Sequence, residues 1–483
     1  AKVAYFTQAS KETEVTAADS VDSCDVDAEV GDNWASTDDV KTDFPLWKLV
    51  LSAIPWIGVQ ALWSTEFAVT TPYMQDLGMS KGLSSQIWIF GPITGFITAP
   101  IVGSLSDHCQ SRYGRRRPFI LAGLLLLWVA SLLFASSKYL FGEPHAKWFA
   151  LVMFVILDVV VNVIQTPIRA IVSDMASQEQ QSAGQIISVL FQGFGNLLGF
   201  GIMKLWAVPF ESIFQLMVMV NVVLTAFVAL QMWICHEKPY VAPADAPKRS
   251  MLTPIVGAFW AVSGMSRDLA KIAFVQFFSW YSLFCYLPTA STWFSTSVYA
   301  GAADAPAGSD LRQRYDLGQD TNSVAGLFNA GFMIVFSMIL VGIMYKTNVP
   351  LRFVYSACLY AGAVALLMAK FCVGTSATFA VIVVTLIAIP MSGINAFPFA
   401  LVGAMNKSAQ ELGKEEDTGV QMGVLNIFIT TPQLLATLVV GIFRDQLGSA
   451  ALPWAFFMAG ISFAIAGTGA LILNDRLAMK AAR

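Results

Sequence analysis

From residue 45 onward the chain is a succession of long apolar runs separated by short polar stretches. A helix needs about 20 apolar residues to cross the hydrocarbon core of a bilayer. The runs predict spans near 46–75, 84–106, 118–138, 147–173, 184–207, 211–235, 269–299, 322–345, 351–373, 376–404, 418–443 and 451–473. The stretch 251–266 (MLTPIVGAFWAVSGMS) is too short to span and contains Pro254, so it is expected to lie on the membrane surface or to lead into the seventh span. Residues 1–44 are different in kind. Eleven acids stand there against Lys2, Lys11 and Lys41, with few large apolar side chains, and a disordered acidic tail is expected. The pattern reads as an all-α membrane protein of about twelve transmembrane helices. It divides into a six-span half over 45–235, a linker over 236–268, a second six-span half over 269–474 and a short tail over 475–483.

Composition agrees with this reading. The 483 residues are 56% hydrophobic and 13% charged, against about 25% charged in soluble domains. The net charge of −3 provides no basic face, which excludes nucleic acid as a partner. Six cysteines without a CxxC spacing suggest neither a disulfide framework nor a metal site, and no metal or cofactor is expected. No nucleophile–base set lies at membrane depth, so an enzyme is not expected. Of the 29 lysines and arginines, twenty fall on the side of the tails and the even-to-odd connections, eight fall on the other, and Arg169 lies inside a span. That excess places both termini in the cytoplasm.

Two local patterns carry chemistry. Between spans two and three, residues 103–118 read GSLSDHCQSRYGRRRP. Gly103 allows close helix packing. Asp107 can pair with Arg112, Arg115, Arg116 and Arg117, Gly114 permits a tight turn, and Pro118 suits a first helical turn. In span four, Asp158, Asn162, Gln165 and Arg169 follow one another at +4, +3 and +4 and share one helical face. Charge at membrane depth is expensive, and four polar residues in register favour a face that lines a cavity. Asp158 and Arg169 are about 16 Å apart along the helix and cannot pair directly.

The halves also match weakly: NVIQTPIRAIVS (162–173) aligns with GINAFPFALVGA (393–404), Pro167 on Pro398. Two parallel six-span halves resemble the major facilitator type of transporter. Within that type, GRRRPFI (114–120) resembles the signature of the plant sucrose–proton symporters and the related animal proton-coupled sugar carriers. EFAVTTPYMQDLG (66–78), IWIFGPITGFITAPIVG (87–103), DVVVNVIQTPIRAIVSD (158–174) and INAFPFALVGA (394–404) resemble their first, second, fourth and tenth spans. WFSTSVYAG (293–301) and YDLG (315–318) resemble the end of their seventh span and the loop after it. The resemblance implies a proton-binding carboxylate at Asp158, a role in coupling for Arg169, and a glutamate at Glu66 in the animal branch. Spans one and four line the central cavity in this type, so Glu66 and Asp158 would come close and could share a proton. Where the plant symporters carry charges around the end of span seven, this chain has Ala290, Thr292, Thr296 and Ser297, and Lys81 stands in place of a histidine.

A sugar site needs groups that bond hydroxyls and aromatic platforms. Polar candidates are Asn162, Gln165, Gln192, Asn196, Asn395, Asn426 and Gln433, and aromatic ones are Trp88, Trp280 and Tyr281. The second half has no clear midspan charge, so coupling chemistry is expected in the first. The leading expectation is a monomeric proton-coupled symporter for a sugar, sucrose or a similar disaccharide, in the plasma membrane. A facilitative carrier of another polar solute and a non-transporting membrane sensor or assembly subunit remain as alternatives.

Overall fold

A computed structural model describes residues 45–474, save 108, 143–144, 176–180, 207–212, 236, 238–255, 257–259, 261, 347–348, 373–375 and 412–417. Both tails and most of the expected surface stretch 251–266 lie outside the described residues. The spans are α1 (Pro55–Asp76), α2 (Phe90–Asp107), α3 (Arg117–Ala135), α4 (Ala146–Met175), α5 (Gln181–Trp206), α6 (Ile213–Ile234), α7 (Arg267–Tyr286), α8 (Asp310–Lys346), α9 (Leu351–Ala369), α10 (Ala388–Glu411), α11 (Thr418–Leu447) and α12 (Ala451–Ala470). Short helices precede α1, α2 and α10. Among the described residues, eleven helices are long and apolar enough to cross a membrane.

The element outside that set is the seventh span, whose Lys271, Gln276 and Ser279 lower its apolarity. It is also broken. After α7 the chain passes through a 3-10 turn (Leu287–Thr289), one helical turn (Ala290–Trp293) and a π-helical segment (Phe294–Val298). Pro288 accounts for the break, since it has no N–H and its ring clashes with the carbonyl four residues back. α8 begins twelve residues before the expected 322 because its first three turns are polar and escape a hydropathy window. They are held as helix by Arg312–Asp316 at 3.1 Å and Arg314–Asp310 at 2.9 Å, each one turn apart. Tyr315–Gly318, expected in a loop, therefore lies inside α8.

One apolar core sits among α1, α3, α4 and α6, with Leu62, Leu127, Ile164 and Leu224 fully buried. A second joins both halves, with Met74, Trp88, Trp293 and Phe456 among its members. α5 packs unusually close to α1 along Gly195 and Gly199, four residues apart. A Cβ at the first would collide with the Ile57 carbonyl, and one at the second with Ser64 Oγ. Small residues at this spacing let membrane helices approach backbone to backbone.

The halves meet at the bundle end that carries Asp76. Arg312 of α8 donates to Asp76 of α1 at 3.0 Å, Lys204 of α5 pairs with Asp320 of α8 at 2.6 Å, and Arg444 of α11 donates to Ser85 on the short helix before α2.

Candidate functional site

The polar face of α4 is wired to α1. Asn162 Nδ2 donates to the Asp158 carbonyl at 2.8 Å, Gln165 Nε2 to Asn162 Oδ1 at 2.6 Å, and Trp63 Nε1 to Gln165 Oε1 at 3.3 Å. One turn further, Arg169 is exposed, with its guanidinium 5.1 Å from the centroid of the Trp56 ring. The cation thus has an aromatic face rather than a carboxylate as its neighbour.

Asp158 has no such neighbour. It and Glu66 are fully buried, and no hydrogen-bond donor reaches any of their four carboxylate oxygens. Thr70, one turn beyond Glu66, is also fully buried with an unpartnered hydroxyl. Each carboxylate lies in the other's electrostatic field. Asp158 also abuts α2: a Cβ on Gly91 would stand 3.7 Å from its carboxylate. Aromatic rings stand on the neighbouring positions, Phe67 next to Glu66 and Phe154 one turn before Asp158. Phe67 stacks on Trp88 at 4.8 Å, and Trp88 meets Phe154 edge-on at 5.3 Å. Trp88 Nε1 donates to Thr71 at 2.8 Å, and Thr71 Oγ1 donates in turn to the carbonyl of Pro288 at the α7 break, 3.3 Å away. An ionised carboxylate in such a place, with no donor and no countercharge, costs several kcal/mol. What the pair can do chemically is hold and release protons.

Between the halves lies a cavity with a free volume of about 70 Å³, bounded in part by the α1 turns that flank Glu66. Its wall includes Gln60, Ser64, Phe67 and Ala68 of α1, Asn196 and Phe200 of α5, Tyr286, Leu287, Ala290 and Ser291 of the broken seventh span, Asn322, Gly326 and Asn329 of α8, and Met391 of α10. No residue of that lining is charged. Gln60 Nε2 donates to Asn196 Oδ1 at 3.0 Å and Asn329 Nδ2 to the Val384 carbonyl at 2.8 Å. The Ser291 hydroxyl is buried without a partner. Amides, hydroxyls and three aromatic rings suit an uncharged polar solute. The volume is well below the roughly 300–1,000 Å³ of a typical ligand pocket, so this conformation is contracted.

Of the residues singled out from the sequence, Asn196 lines this cavity, and Asn162, Gln165 and Trp88 lie in the layer around the carboxylates. The others stand apart. Gln192 is half-buried one turn before Asn196. Asn395 donates to the Met391 carbonyl of its own helix at 2.9 Å. Asn426 is half-buried and Gln433 buried on α11. Trp280 and Tyr281 pack against the apolar core, and Tyr286, five residues on, faces the cavity instead. Gln60, Phe200, Asn322 and Asn329 were not anticipated. The G-x-x-x-G spacing of Gly195 and Gly199 was the available signal that α5 meets α1 here.

At the opposite end the arginine motif clamps three helices. Gly114 has φ +105° and forms the turn. Arg115 and Arg116 reach Asp174 at the end of α4, at 2.8 and 3.2 Å. Arg116 also donates to Ser106 Oγ at 2.7 Å and to the Gly103 carbonyl at 3.4 Å on α2. Arg117 donates to the Met232 carbonyl at 2.6 Å and to that of Cys235, capping the end of α6. Reciprocally, Glu237 accepts from the backbone N–H groups of Arg116 and Arg117 at 3.0 and 3.1 Å, capping the start of α3. Burial pushes the Glu237 carboxyl above the usual carboxylate range, against the pull of those amides. Arg112 stays outside the clamp, stacked on Tyr113 at 4.8 Å. The side chain of Asp107 lies outside the described residues.

Two helical halves that close around an uncharged cavity, with a buried carboxylate pair against its wall, define a membrane transport protein. A family model described as Major Facilitator Superfamily matches residues 46–437, and the chain belongs to that superfamily. Its curated relatives are transport proteins, not enzymes. The chain is 26% identical over 537 residues to Sucrose transport protein SUC3 of Arabidopsis thaliana, covering 90% of this chain and 89% of that one. It is 25% identical over 489 residues to Sucrose transport protein SUT1 of Oryza sativa subsp. japonica, with the same coverage. Over a shorter stretch of 168 residues it is 39% identical to Sucrose transport protein SUT4 of Oryza sativa subsp. indica. Among solved structures, a POT family transporter in complex with 5-aminolevulinic acid superposes with a TM-score of 0.61, at 13% identity, over 90% of this chain and 97% of that one. That last likeness is one of fold.

Proposed function

We propose that the protein is a proton-coupled sugar symporter working by alternating access, with sucrose or a similar disaccharide as its substrate. The observation that carries the reading is the pair Glu66 and Asp158, fully buried and unpartnered behind the wall of a cavity that offers only neutral polar groups. The likeness to sucrose transport proteins over most of the chain supports the substrate class. The charge distribution supports termini on the cytoplasmic side, and hence Asp76 on the outer side. A plasma-membrane location and a monomeric working unit complete the proposal.

The mechanism then runs from these residues. With the outer latch of Asp76–Arg312 and Lys204–Asp320 open, water reaches the carboxylates and protons bind. Once neutral, they enter a dry compartment at little cost, the sugar engages the amides of Gln60, Asn196 and Asn322, and the latch closes. On the cytoplasmic side the exposed Arg169 favours the ionised carboxylates and so the release of protons. Coupling requires that the two conformations bind proton and sugar with different affinity, and the dry enclosure supplies that difference.

Uptake of radiolabelled sucrose into proteoliposomes, with and without an inward proton gradient, tests the reading. Gradient-driven accumulation by the wild type, lost in Asp158→Asn while counterflow exchange survives, is the expected result. Equal uptake by both proteins without a gradient effect would leave a facilitator. No uptake of any sugar in a panel would favour a sensor.

A further inference from the structure

We infer that Ser291 is a specificity-determining residue of the cavity, the group by which the second half reads one hydroxyl of the solute. The inference rests on the sugar-transport reading above and names what makes that site selective for a hydroxyl.

A serine or threonine inside a helix commonly bonds to the carbonyl three or four residues earlier. Many in these spans do so: Ser64 donates to the Ala61 carbonyl at 3.0 Å, Ser282 to Phe278 at 2.9 Å, Thr289 to Cys285 at 2.6 Å and Thr296 to Thr292 at 2.8 Å. Ser291 does not. Its side chain is buried, and its Oγ has no partner. The carbonyls behind it belong to Leu287 and Pro288, and both lie on the 3-10 turn where the seventh span breaks. The Pro288 carbonyl already accepts from Thr71 Oγ1 of α1 at 3.3 Å. The break thus frees a hydroxyl that an unbroken helix would engage, on a residue that lines the cavity. An unsatisfied buried hydroxyl is unfavourable, and a solute hydroxyl, which both donates and accepts, satisfies it.

Other polar groups of the wall are already engaged. Gln60 bonds to Asn196, Ser64 to its own helix and Asn329 to the Val384 carbonyl. Thr292, next in the chain, is also fully buried without a partner, but it lies outside the lining. The backbone of Ser291 is fixed to α8, where Gln319 Nε2 donates to its carbonyl at 3.5 Å and to Ser295 Oγ at 2.8 Å. Asn322, one turn beyond Gln319, lines the cavity with it. A site whose buried polar group is satisfied only by the solute discriminates against an analogue that lacks the matching hydroxyl.

The test pairs Ser291→Ala with sucrose analogues that each carry hydrogen in place of one hydroxyl, used as competitors of radiolabelled sucrose in proteoliposome counterflow. In the wild type, loss of the hydroxyl read by Ser291 should weaken competition by about three- to tenfold, the net effect of one hydrogen bond. In Ser291→Ala, sucrose itself should bind more weakly by that factor, and the analogue lacking that hydroxyl should compete as well as sucrose. Penalties at the other positions should persist. Penalties that survive at every position in Ser291→Ala overturn the inference while leaving sugar transport intact. A wild type that exchanges no sucrose overturns the sugar reading and this inference with it. A second readout separates recognition from packing. Because Oγ has no partner, Ser291→Ala should melt no lower than the wild type without sugar, and added sucrose should raise its melting temperature less. A variant that fails to fold, or that melts lower yet responds to sucrose as the wild type does, gives Ser291 a structural role and overturns the inference.

Discussion

Breaking the Asp76–Arg312 pair should shift the protein toward the state open at the Asp76 end. The Arg312 guanidinium reaches Asp76 of α1 at 3.0 Å, Asp316 at 3.1 Å and the Ala303 carbonyl at 2.9 Å, and lies 5.6 Å from the centroid of the Tyr315 ring. The last three lie within the second half and persist in either state, whereas the bond to Asp76 crosses between the halves and biases the equilibrium. Its side chains are 20% and 16% exposed. Exposed pairs contribute about 0.2–1 kcal/mol, and hydrogen bonds to charged groups about 1.5–3 kcal/mol. A value of about 1–2 kcal/mol is appropriate here, equivalent to roughly a 5–30-fold change in the closed-to-open ratio. Spin labels at Lys81→Cys and Gln313→Cys, both exposed positions across the seam, in a Cys24→Ser, Cys109→Ser background, report that ratio as distance populations. Arg312→Ala and Asp76→Ala should each enlarge the long-distance population, and the double variant should add little to either, since both remove the same bond. Single variants that leave the populations within twofold of the wild type, or effects that add in full, would refute the assignment. The Lys204–Asp320 pair, with side chains 41% and 42% exposed, should contribute less and fade in high salt.

Three further outcomes are expected. Gly199→Val drives methyl groups into Ser64 and Ala61 of α1 and should destabilise the protein by about 1–3 kcal/mol, read as a lower melting temperature in detergent; an unchanged melt would mean that the α1–α5 seam is looser than described. The folded Glu237 carboxyl titrates above its unfolded value, so the stability its protonated form lends is complete below about pH 4.3 and is lost as pH rises through the folded value. The melting-temperature advantage of wild type over Glu237→Gln should therefore fall as pH rises above about 4.3, and an advantage that grows would contradict the burial argument. Asn322→Ala removes an amide from the cavity wall and should raise the KM for sugar by about tenfold, the loss of roughly one hydrogen bond, with the folded yield unchanged; an unaltered KM would take Asn322 out of the substrate path.

What could be read from the chain follows the physics that wrote it. Bilayer thickness imposes its length on every apolar run, so the spans were legible wherever hydropathy alone decides. It failed at α8, where polar turns around Arg312 and Asp320 are held by one-turn ion pairs, and at the seventh span, where Pro288 interrupts the rod. The α4 stripe was legible because Asp158, Asn162, Gln165 and Arg169 share a helical period within one segment. Neighbours drawn from different segments were not. Tyr281 and Tyr286 are five residues apart, about 140° around a helix, and only the packing of α7 decides which faces the cavity. Asn322 and Asn329 sit on a helix read mainly as apolar, and their use depends on which side of α8 meets α5. The carboxylate pair was anticipated through a resemblance, while its lack of any donor is a property of the folded surroundings.

The broken seventh span gives the molecule a lever. Beyond the break, its terminal segment is fastened to the start of α8: Ser295 Oγ donates to the Tyr315 carbonyl at 2.8 Å, Gln319 Nε2 donates to Ser295 Oγ at 2.8 Å, and the hydroxyls of Tyr299 and Thr321 meet at 2.8 Å. On either side of the break, Tyr286, Leu287, Ala290 and Ser291 form part of the cavity wall. The fulcrum is Pro288, whose carbonyl is held by Thr71. In the proposed cycle, a solute that presses on the short arm at Tyr286 moves the long arm that carries Arg312. On that reading, occupancy of the cavity and the grip on Asp76 are two ends of one lever, and the message between them travels as torque.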